Sequence, residues 1–511
     1  MKKAWRMIAG VIAAIAMAVA GLLGVGTAYA ADGTYTITAP DNNHTYEVYQ
    51  IFTGDYSEGV LSNVKWGKNG TGTEGKAVDA AIITALTKVN TGTDAEKLAV
   101  IKTYAKLDSS KKFGELSKTQ PLNNVPAGYY LIKDKDGKLP DTNDAKTLYL
   151  VKVVNDVTIT PKSDKPTSQK KVEDVNDSTG VTTGWQDSAD YDIGDKVPFQ
   201  LTATIGDRYA DYKVYKLTFH DTESTGLTFN KDSVNVYVDN DGAQSETPIN
   251  ASNYQVVTEG LESGCTFEIR FADLKTITGA TVKAGSVIRV EYTSTLNRNA
   301  NIGSQGNPNK MHIEFSNNPN DETGGETGET PDDTVIVFTY KTVINKKDQN
   351  QNSLQGAAFK LEKFVAAAGG SENHNGVQGD WQIVGTTTAG VATTFTFSGL
   401  DDGVYRLTET VTPAGYNTID PIEFTITAEH DVTSDNPELA SLSGNAATGA
   451  ITFTPNLSEG SLTADVVNQK GSSLPETGGM GTVALYAGGA AIVLLAVIGL
   501  AVTARRRNGT R

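Results

Sequence analysis

Residues 197–205 read Val-Pro-Phe-Gln-Leu-Thr-Ala-Thr-Ile, with an apolar side chain at every second position. This period of two puts alternate side chains on opposite faces of an extended chain, as in a β-strand with one buried face. Similar short stretches, rich in β-branched and aromatic residues, follow at residues 212–219, 234–238, 267–271 and 287–292. Serial strands separated by turn residues predict a β-sandwich.

Two more β-rich regions flank this one. We place the three domains at residues 31–165, 169–320 and 334–470. The first contains an alternating stretch at 44–52, which predicts a strand with one buried face, and a more helical, polar region at 75–112. Residues 161–168 form a linker rich in Lys, Ser, Pro and Thr, and residues 321–333 form an acidic, glycine-rich linker unable to build a core. The predicted fold class is therefore mainly β, with tandem sandwiches in a rod.

The composition excludes several classes of function. The 511 residues carry a net charge of −16 without a basic stripe, which argues against a nucleic-acid partner. Cys265 is the single cysteine, so an intrachain disulfide is impossible. The histidines have no metal-ligand spacing, and we predict no metal and no cofactor. They are His44, His220, His312, His374 and His430.

The first 30 residues have the pattern of a secretory signal peptide. Three basic residues within the first six are followed by an apolar run at 7–26 and by Ala28-Tyr29-Ala30, a small-x-small cleavage site. A transmembrane anchor is the alternative, because the apolar run is long. The position of the cleavage triplet favours export, with a mature chain beginning near Ala31.

The carboxy-terminal segment, residues 474–511, has three parts. The sequence Leu474-Pro475-Glu476-Thr477-Gly478 precedes an apolar stretch at 483–502, which is long enough to span a bilayer as a helix. Four arginines follow, and they favour a cytoplasmic tail. This arrangement resembles the cell-wall sorting signal of Gram-positive surface proteins. The resemblance implies cleavage between Thr477 and Gly478 by sortase, a cysteine transpeptidase, and transfer of the Thr477 acyl group to an amine.

The last domain carries a second motif. Residues 405–410, Tyr-Arg-Leu-Thr-Glu-Thr, and residues 413–416, Pro-Ala-Gly-Tyr, resemble the E-box of B-type repeat domains in Gram-positive pilins and collagen adhesins. Residues 344–348 and 464–468 resemble the first and last strands of the same domains. The resemblance implies a spontaneous isopeptide bond between Lys346 and Asn468, with Glu409 as its catalyst.

Elementary chemistry supports these roles. Burial lowers the pKa of a lysine and leaves a neutral, nucleophilic amine, while it raises the pKa of a carboxyl group that can then relay a proton. The fold supplies proximity, which is worth roughly 7–11 kcal/mol of barrier. The alternative is a surface ion pair between Lys346 and Glu409, worth roughly 0–1 kcal/mol.

The middle domain resembles the A-type counterpart, which places Lys, Asp and Asn at similar landmarks. Lys170 shares a strand face with Val172, and Asn317 alternates with Ile313 and Phe315, so we assign the bond to these two residues. A slip of one residue would exchange the faces and select Lys171 or Asn318 instead. Asp221 is the candidate catalytic acid, although an Asp in such a position is commonly only a turn former.

A third motif lies at the end of the first domain. Residues 157–162, Val-Thr-Ile-Thr-Pro-Lys, resemble the pilin motif, whose lysine attacks the acyl–sortase intermediate of the next subunit. Thr160 and Ser163 depart from the usual Tyr and Asn of that motif, which leaves Lys165 as the alternative to Lys162. A lysine in an exposed linker is otherwise only a solubilising charge.

These features together resemble a sortase-assembled major pilin, with immunoglobulin-like A-type and B-type domains. The resemblance implies a non-enzymatic shaft subunit on the Gram-positive cell surface, linked from Thr477 to Lys162 of its neighbour and finally to peptidoglycan. Its expected partners are sortase, further copies of itself, minor or tip pilins and host surface ligands. The rival hypothesis is a monomeric wall-anchored adhesin.

One fragment, Asp239-Asn240-Asp241-Gly242, resembles part of a calcium loop but lacks its terminal acidic residue, so we interpret it as a β-turn.

Overall fold

The computed structural model describes most of the chain between residues 34 and 471. The described ranges are 34–40, 42–57, 60–89, 94–135, 139, 144–146, 148–159, 165–261, 264–319, 321, 323–434, 436–446 and 451–471. Strands dominate them, and the mainly-β fold class is confirmed. None of the helices in these ranges has both the length and the apolar character needed to cross a bilayer. The predicted signal peptide and sorting segment lie outside the described residues.

The first domain combines two sheets with two helices. Its strands are β1 Thr34–Thr38, β2 Thr45–Ser57, β3 Val60–Trp66, β4 Gly114–Ser117, β5 Leu122–Pro126, β6 Gly128–Asp134, β7 Leu148–Val153 and β8 Val157–Thr158. Its helices are α1 Ala80–Lys88 and α2 Asp94–Lys102, with a 3-10 turn at Ser109–Lys111. One sheet has the order β3-β2-β6-β7, with β4 also paired to β2, and the other has the order β5-β1-β8.

Strand β2 is buried on both faces, whereas the sequence predicts one buried face. Tyr49 and Ile51 belong to a core cluster that includes Leu86 of α1. Tyr46, on the opposite face of the strand, packs in a second cluster with Ile37 of β1. The sheet thus lies between the helices and the smaller sheet, and that placement explains why both of its faces are apolar.

His44 joins two carboxylates beside this sheet. Its Nδ1 lies 2.6 Å from Asp134 Oδ1 and its Nε2 lies 2.8 Å from Asp144 Oδ2. The hydrogen bonds to Asp134 and then Asp144 raise the pKa of His44 to about 9, against the opposing effect of burial. A protonated His44 can donate to both carboxylates at once, so it ties residue 144 to the strand that contains Asp134.

This arrangement predicts that the first domain loses stability as the pH rises. Because the pKa of His44 in the folded state lies above its unfolded value of about 6.5, its contribution is complete below pH 6.5 and is lost as the pH rises through 9. The expected loss in the free energy of unfolding is on the order of 3 kcal/mol. Thermal melts of wild type and His44→Gln between pH 5 and 10 measure it.

In this comparison the melting temperatures of the two proteins should converge at high pH. His374→Gln, a substitution in the last domain, serves as the control and should keep the wild-type pH profile. A wild-type advantage over His44→Gln that does not change between pH 5 and 10 would contradict the prediction.

The middle domain is a sandwich of two larger sheets. Its strands are β9 Thr167–Val172, β10 Val175–Asn176, β11 Val181–Thr182, β12 Ser188–Asp190, β13 Lys196–Thr204, β14 Leu217–Glu223, β15 Leu227–Phe229, β16 Asn235–Asp239, β17 Gln255–Val257, β18 Phe267–Phe271, β19 Val287–Leu296, β20 Asn307–Ser316, β21 Thr327–Glu329 and β22 Asp333–Phe338. Its 3-10 turns are Tyr209–Asp211, Lys231–Ser233, Ala251–Asn253 and Leu274–Thr276. The sheet orders are β12-β22-β20-β14-β18-β17 and β15-β19-β13-β9, with β21 paired to β20, β16 paired to β19, and a separate β10–β11 hairpin.

The segment predicted as an acidic linker contributes strands to this domain. Residues 327–329 form β21, which pairs with β20. Strand β22 pairs with β20 and, in parallel, with β12, and its Val335 and Val337 lie in the middle-domain core. The next residue, Phe338, packs in the core of the last domain. Residues 334–337 therefore belong to the middle sheet, because the alternating Val335 and Val337 bury their side chains there.

The last domain is a second sandwich. Its strands are β23 Tyr340–Asp348, β24 Ala358–Ala366, β25 Glu372–His374, β26 Val377–Thr386, β27 Thr394–Leu400, β28 Gly403–Val411, β29 Ile422–His430, β30 Leu439–Ala446, β31 Phe453–Asn456 and β32 Ser461–Asn468. The sheet orders are β27-β23-β32-β31 and β25-β26-β24-β28-β29-β30. The first strand, β23, runs parallel to the last, β32, with Lys346 opposite Val466.

A buried lysine joins the middle and last domains. Lys363 of β24 is 1% exposed, and its Nζ lies 2.8 Å from Asp177 and 2.7 Å from Asp192 of the middle domain, and contacts Asp401 of its own domain. These carboxylates hold the pKa of Lys363 well above its usual value despite burial. The ammonium group therefore stays charged and connects the two domains.

Candidate functional site

Three elements of the last domain bring Lys346, Asn468 and Glu409 together. Lys346 lies near the end of β23 and Asn468 ends β32, its parallel neighbour. Glu409 lies on β28 in the opposite sheet. Each of the three alternates with core residues along its own strand, so all three side chains point into the sandwich.

The three side chains form a closed polar cluster in an apolar core. Lys346 Nζ donates to Asn468 Oδ1 and lies 3.2 Å from Glu409 Oε1. Asn468 Nδ2 lies 3.1 Å from each oxygen of Glu409. The side chains of Lys346 and Glu409 are fully buried, and Asn468 is 0% exposed. These contacts differ from those of a surface ion pair.

The surroundings favour a neutral amine and a fixed carboxyl group. Burial lowers the pKa of Lys346, with Glu409 opposing that effect, and Lys346 Nζ lies 5.6 Å from the centre of the Phe359 ring. Glu409 Oε2 also accepts hydrogen bonds from Thr412 Oγ1 at 3.2 Å and from the Ile419 amide at 3.3 Å. The carboxyl group is thus held in place beside both nitrogen atoms.

This arrangement can support amide exchange. A neutral Lys346 amine would attack Cγ of Asn468, a new C–N bond would form, and the bond from Cγ to Nδ2 would break with the release of ammonia. Glu409 lies within hydrogen-bond reach of the nitrogen that loses protons and of the one that leaves, so a single group can carry the proton between them.

The middle domain contains a similar cluster around Lys170. Lys170 of β9 and Asp221 of β14 are both 0% exposed, and Lys170 Nζ donates to Asp221 Oδ2. The Tyr292 hydroxyl lies 2.8 Å from Lys170 Nζ and donates to Asp221 Oδ2 at 3.0 Å. Lys171, the alternative lysine, is half-buried and pairs with Asp187. Asp221 lies within a strand and is not a turn residue.

Asn317 does not lie in this cluster, which corrects the assignment made from alternation. It follows the end of β20, where its Nδ2 donates to the backbone oxygen of Asp144 at 3.4 Å, at the contact with the first domain. Asn309, eight residues earlier and at 0% exposure, donates to the Tyr292 hydroxyl at 3.0 Å. Asn309 and Lys170 therefore share a hydrogen-bond partner.

Burial shifts the pKa values of this cluster towards the neutral forms that amide formation needs. It lowers the pKa of Lys170 and raises the pKa of Asp221, and each residue opposes the shift of the other. Oδ1 of Asp221 and Oδ1 of Asn309 are buried without a hydrogen-bond partner. A protonated Asp221 would supply a donor among these acceptors, as a catalytic carboxylic acid does.

The two positions predicted for sortase chemistry, residues 474–478 and Lys162, lie outside the described residues. Strand β8, just before Lys162, pairs in parallel with β1, and the Ile159 amide donates to the Thr38 oxygen at 2.9 Å. Lys165, the alternative lysine, has its Nζ 3.7 Å from Asp144 Oδ2.

The calcium-like fragment is a tight turn, as predicted. The Ala243 amide donates to the Asn240 oxygen at 3.0 Å, and Asp241 and Gly242 have φ values of 56° and 76°. These left-handed conformations are those of a hairpin turn. The carboxylate of Asp239 is bound by Arg289, 2.7 Å away.

The chain resembles known proteins in sequence and in fold. Residues 341–438 match the SpaA family model, described as a prealbumin-like fold domain. The trypsin-resistant surface T6 protein of Streptococcus pyogenes serotype M6 is 24% identical over 442 residues, which cover 73% of this chain and 74% of that protein.

Two solved structures provide a further comparison. The T6 backbone pilin of S. pyogenes is 18% identical, with a TM-score of 0.49, and the match covers 86% of this chain and 98% of that one. The major pilin SpaD of Corynebacterium diphtheriae is 19% identical, with a TM-score of 0.47 and the same coverage. The predicted resemblance is confirmed by the sequence similarity to a Gram-positive surface protein and by the match to the SpaA domain.

Proposed function

We propose that this chain is the backbone subunit of a cell-wall-anchored pilus. Sortase would cleave between Thr477 and Gly478, form a thioester to the Thr477 carbonyl, and pass that acyl group to the Lys162 amine of the next subunit. The released segment, residues 478–511, would stay in the membrane, and the last subunit would be transferred to peptidoglycan.

The buried cluster of Lys346, Glu409 and Asn468 carries this proposal. An isopeptide bond there would tie the first strand of the last domain to its final strand, just before the sorting segment. Tension entering at Thr477 would then pass from β32 to β23 through a covalent bond instead of through strand hydrogen bonds. A covalent tie at this place suits a subunit that transmits force along a fibre.

A covalent bond in the middle domain would carry tension in a similar way. Lys170 lies on β9, where that domain begins, and Asn309 lies on β20, the direct neighbour of β22, which leads into the last domain. A bond between them would shorten the load-bearing path through the domain. The autocatalytic acids would be Asp221 in the middle domain and Glu409 in the last domain.

Polymerisation through Lys162 predicts a ladder of covalent multimers. Cell-wall extracts of the producing bacterium, boiled in detergent and separated on a denaturing gel, should show regular high-mass bands with wild type. Lys162→Ala should remove these bands, because no amine would then accept the Thr477 acyl group. Lys165→Ala is the matched control and should keep the ladder.

Two other outcomes of the gel experiment would change the proposal. A ladder that persists in Lys162→Ala and disappears in Lys165→Ala would move the acceptor to Lys165. Wild-type extracts with a monomer band alone would contradict the shaft proposal and support a monomeric wall-anchored adhesin.

A further inference from the structure

The outer face of the middle domain contains a cluster that the proposed function does not use. His220 of β14 is 3% exposed and pairs in register with Glu268 of β18, which is 0% exposed. Cys265, half-buried, lies just before β18. Because Asp221 points into the core towards Lys170, its neighbour His220 points to the opposite face of the sheet.

Three potential ligand atoms converge here. His220 Nδ1 lies 3.7 Å from Cys265 Sγ and 3.4 Å from Glu268 Oε1. The three ligand atoms lie within 4.8 Å of one another. A tetrahedral zinc ion with ordinary bond lengths separates a nitrogen and a sulfur ligand by about 3.5 Å, and a nitrogen and an oxygen ligand by about 3.4 Å. The two observed separations from Nδ1 are close to these values.

The neighbouring side chains orient these ligands. Arg270 binds Oε2 of Glu268 and leaves Oε1 on the side of His220. Glu314 Oε2 lies 3.8 Å from His220 Nε2, the nitrogen that points away from the cluster. With a metal on Nδ1, the carboxylate of Glu314 would hold the tautomer of His220 that carries its proton on Nε2.

The neighbouring imidazole of His312 is arranged differently. Its ring stacks on that of His220 with 4.9 Å between centres, while its Nδ1 lies 2.9 Å from Asp332. His312 therefore supports the His220 ring and is not one of the converging ligands.

We propose that His220, Cys265 and Glu268 form a site for a zinc ion. Nδ1, Sγ and Oε1 would be three ligands, and a water molecule would complete the tetrahedron on the side where Cys265 is half-buried. Binding would release the thiol proton of Cys265 to solvent, since the thiolate is the form that binds metal. A nitrogen, sulfur and oxygen ligand set favours zinc over the harder calcium and magnesium ions.

Metal titration of the intact protein, without a histidine tag, tests this proposal. One equivalent of Zn²⁺ should bind and raise the melting temperature, and Co²⁺ should give the near-ultraviolet absorption of a sulfur–cobalt bond. Cys265→Ser should abolish that absorption and weaken Zn²⁺ binding more than Glu314→Gln does. For Glu314→Gln, which changes a supporting residue alone, we expect a loss of about 10–100-fold in affinity.

His374→Asn, which changes a histidine of the last domain, should bind Zn²⁺ like wild type, and circular dichroism should show that every variant is folded. Absence of Zn²⁺ binding to wild type would overturn the proposal. Equal binding by folded Cys265→Ser would also overturn it, because the ion would then lie elsewhere.

Discussion

Glu409→Gln is expected to keep one ammonia that the wild-type protein loses, and to lower its thermal stability sharply. The substitution preserves the volume of the side chain but removes the group that can accept and return a proton beside Lys346 and Asn468. Without the bond, the segment of the chain between those two residues, which are 122 positions apart, is no longer a closed loop. In the chain-entropy model, closing a loop of about a hundred residues contributes about 4.7 kcal/mol.

Intact-mass measurement and a thermal melt check this prediction. Lys346→Ala should give the same retained ammonia as Glu409→Gln, since it removes the nucleophile. Lys347→Ala is a matched control, because Lys347 is the adjacent residue but points to the other face and pairs with Asp465 at 2.6 Å. Loss of ammonia in Lys346→Ala as in wild type would contradict the assignment.

Asn309→Ala is expected to leave the middle domain without its internal bond, whereas Asn317→Ala is expected to retain it. Asn309 hydrogen-bonds the Tyr292 hydroxyl that Lys170 also contacts, and Asn317 lies at the boundary with the first domain. The wild-type protein should have lost two ammonia molecules, one from each of the two domains, and Asn309→Ala should have lost one. The stability cost should again be about 4.7 kcal/mol, because this loop also exceeds a hundred residues.

Peptide mapping adds a direct readout to this experiment. A branched peptide joining Lys170 to Asn309 should be present in wild type and in Asn317→Ala, and absent in Asp221→Ala. A branch from Lys170 to Asn317 would contradict the assignment of the bond to Asn309 and would support the assignment to Asn317 that strand alternation suggested.

Alternation along the strands was sufficient to predict the fold class, and the resemblance to B-type repeat domains predicted the last-domain cluster. Lys346, Glu409 and Asn468 each sit in register with apolar neighbours on the same face of their strand. The strands predicted around Lys346 and Asn468 occur at those positions. The face on which each side chain lies follows from the local sequence, because each residue lies within a regular strand and alternate side chains point to opposite faces.

Alternation could not choose between Asn309 and Asn317. Both share the face of Met311, Ile313 and Phe315, so period two assigns the same direction to each. The choice depends on the register between β20 and its neighbour β14, which is a long-range property. In that register Asp221 pairs with Met311, two residues from Asn309. A sequence signal did exist, since Asn309 lies inside the alternating run and Asn317 follows its end.

Long-range pairing also accounts for the other differences. In the sequence, the alternation of Val335 and Val337 is equally consistent with the start of the last domain. The pairing of their strand with β12 and β20 assigns them to the middle sheet. The spacing of potential ligands along the sequence does not indicate the cluster of His220, Cys265 and Glu268. The register between β14 and β18 brings residues 220 and 268 side by side.

The most direct test of the account is tandem mass spectrometry of pilus material released from the cell wall and digested with a protease. The account predicts a branched peptide in which the Thr477 carbonyl is joined by an amide bond to Nζ of Lys162, with residues 478–511 absent. Surface material that always retains residues 478–511 on an unbranched chain would contradict it.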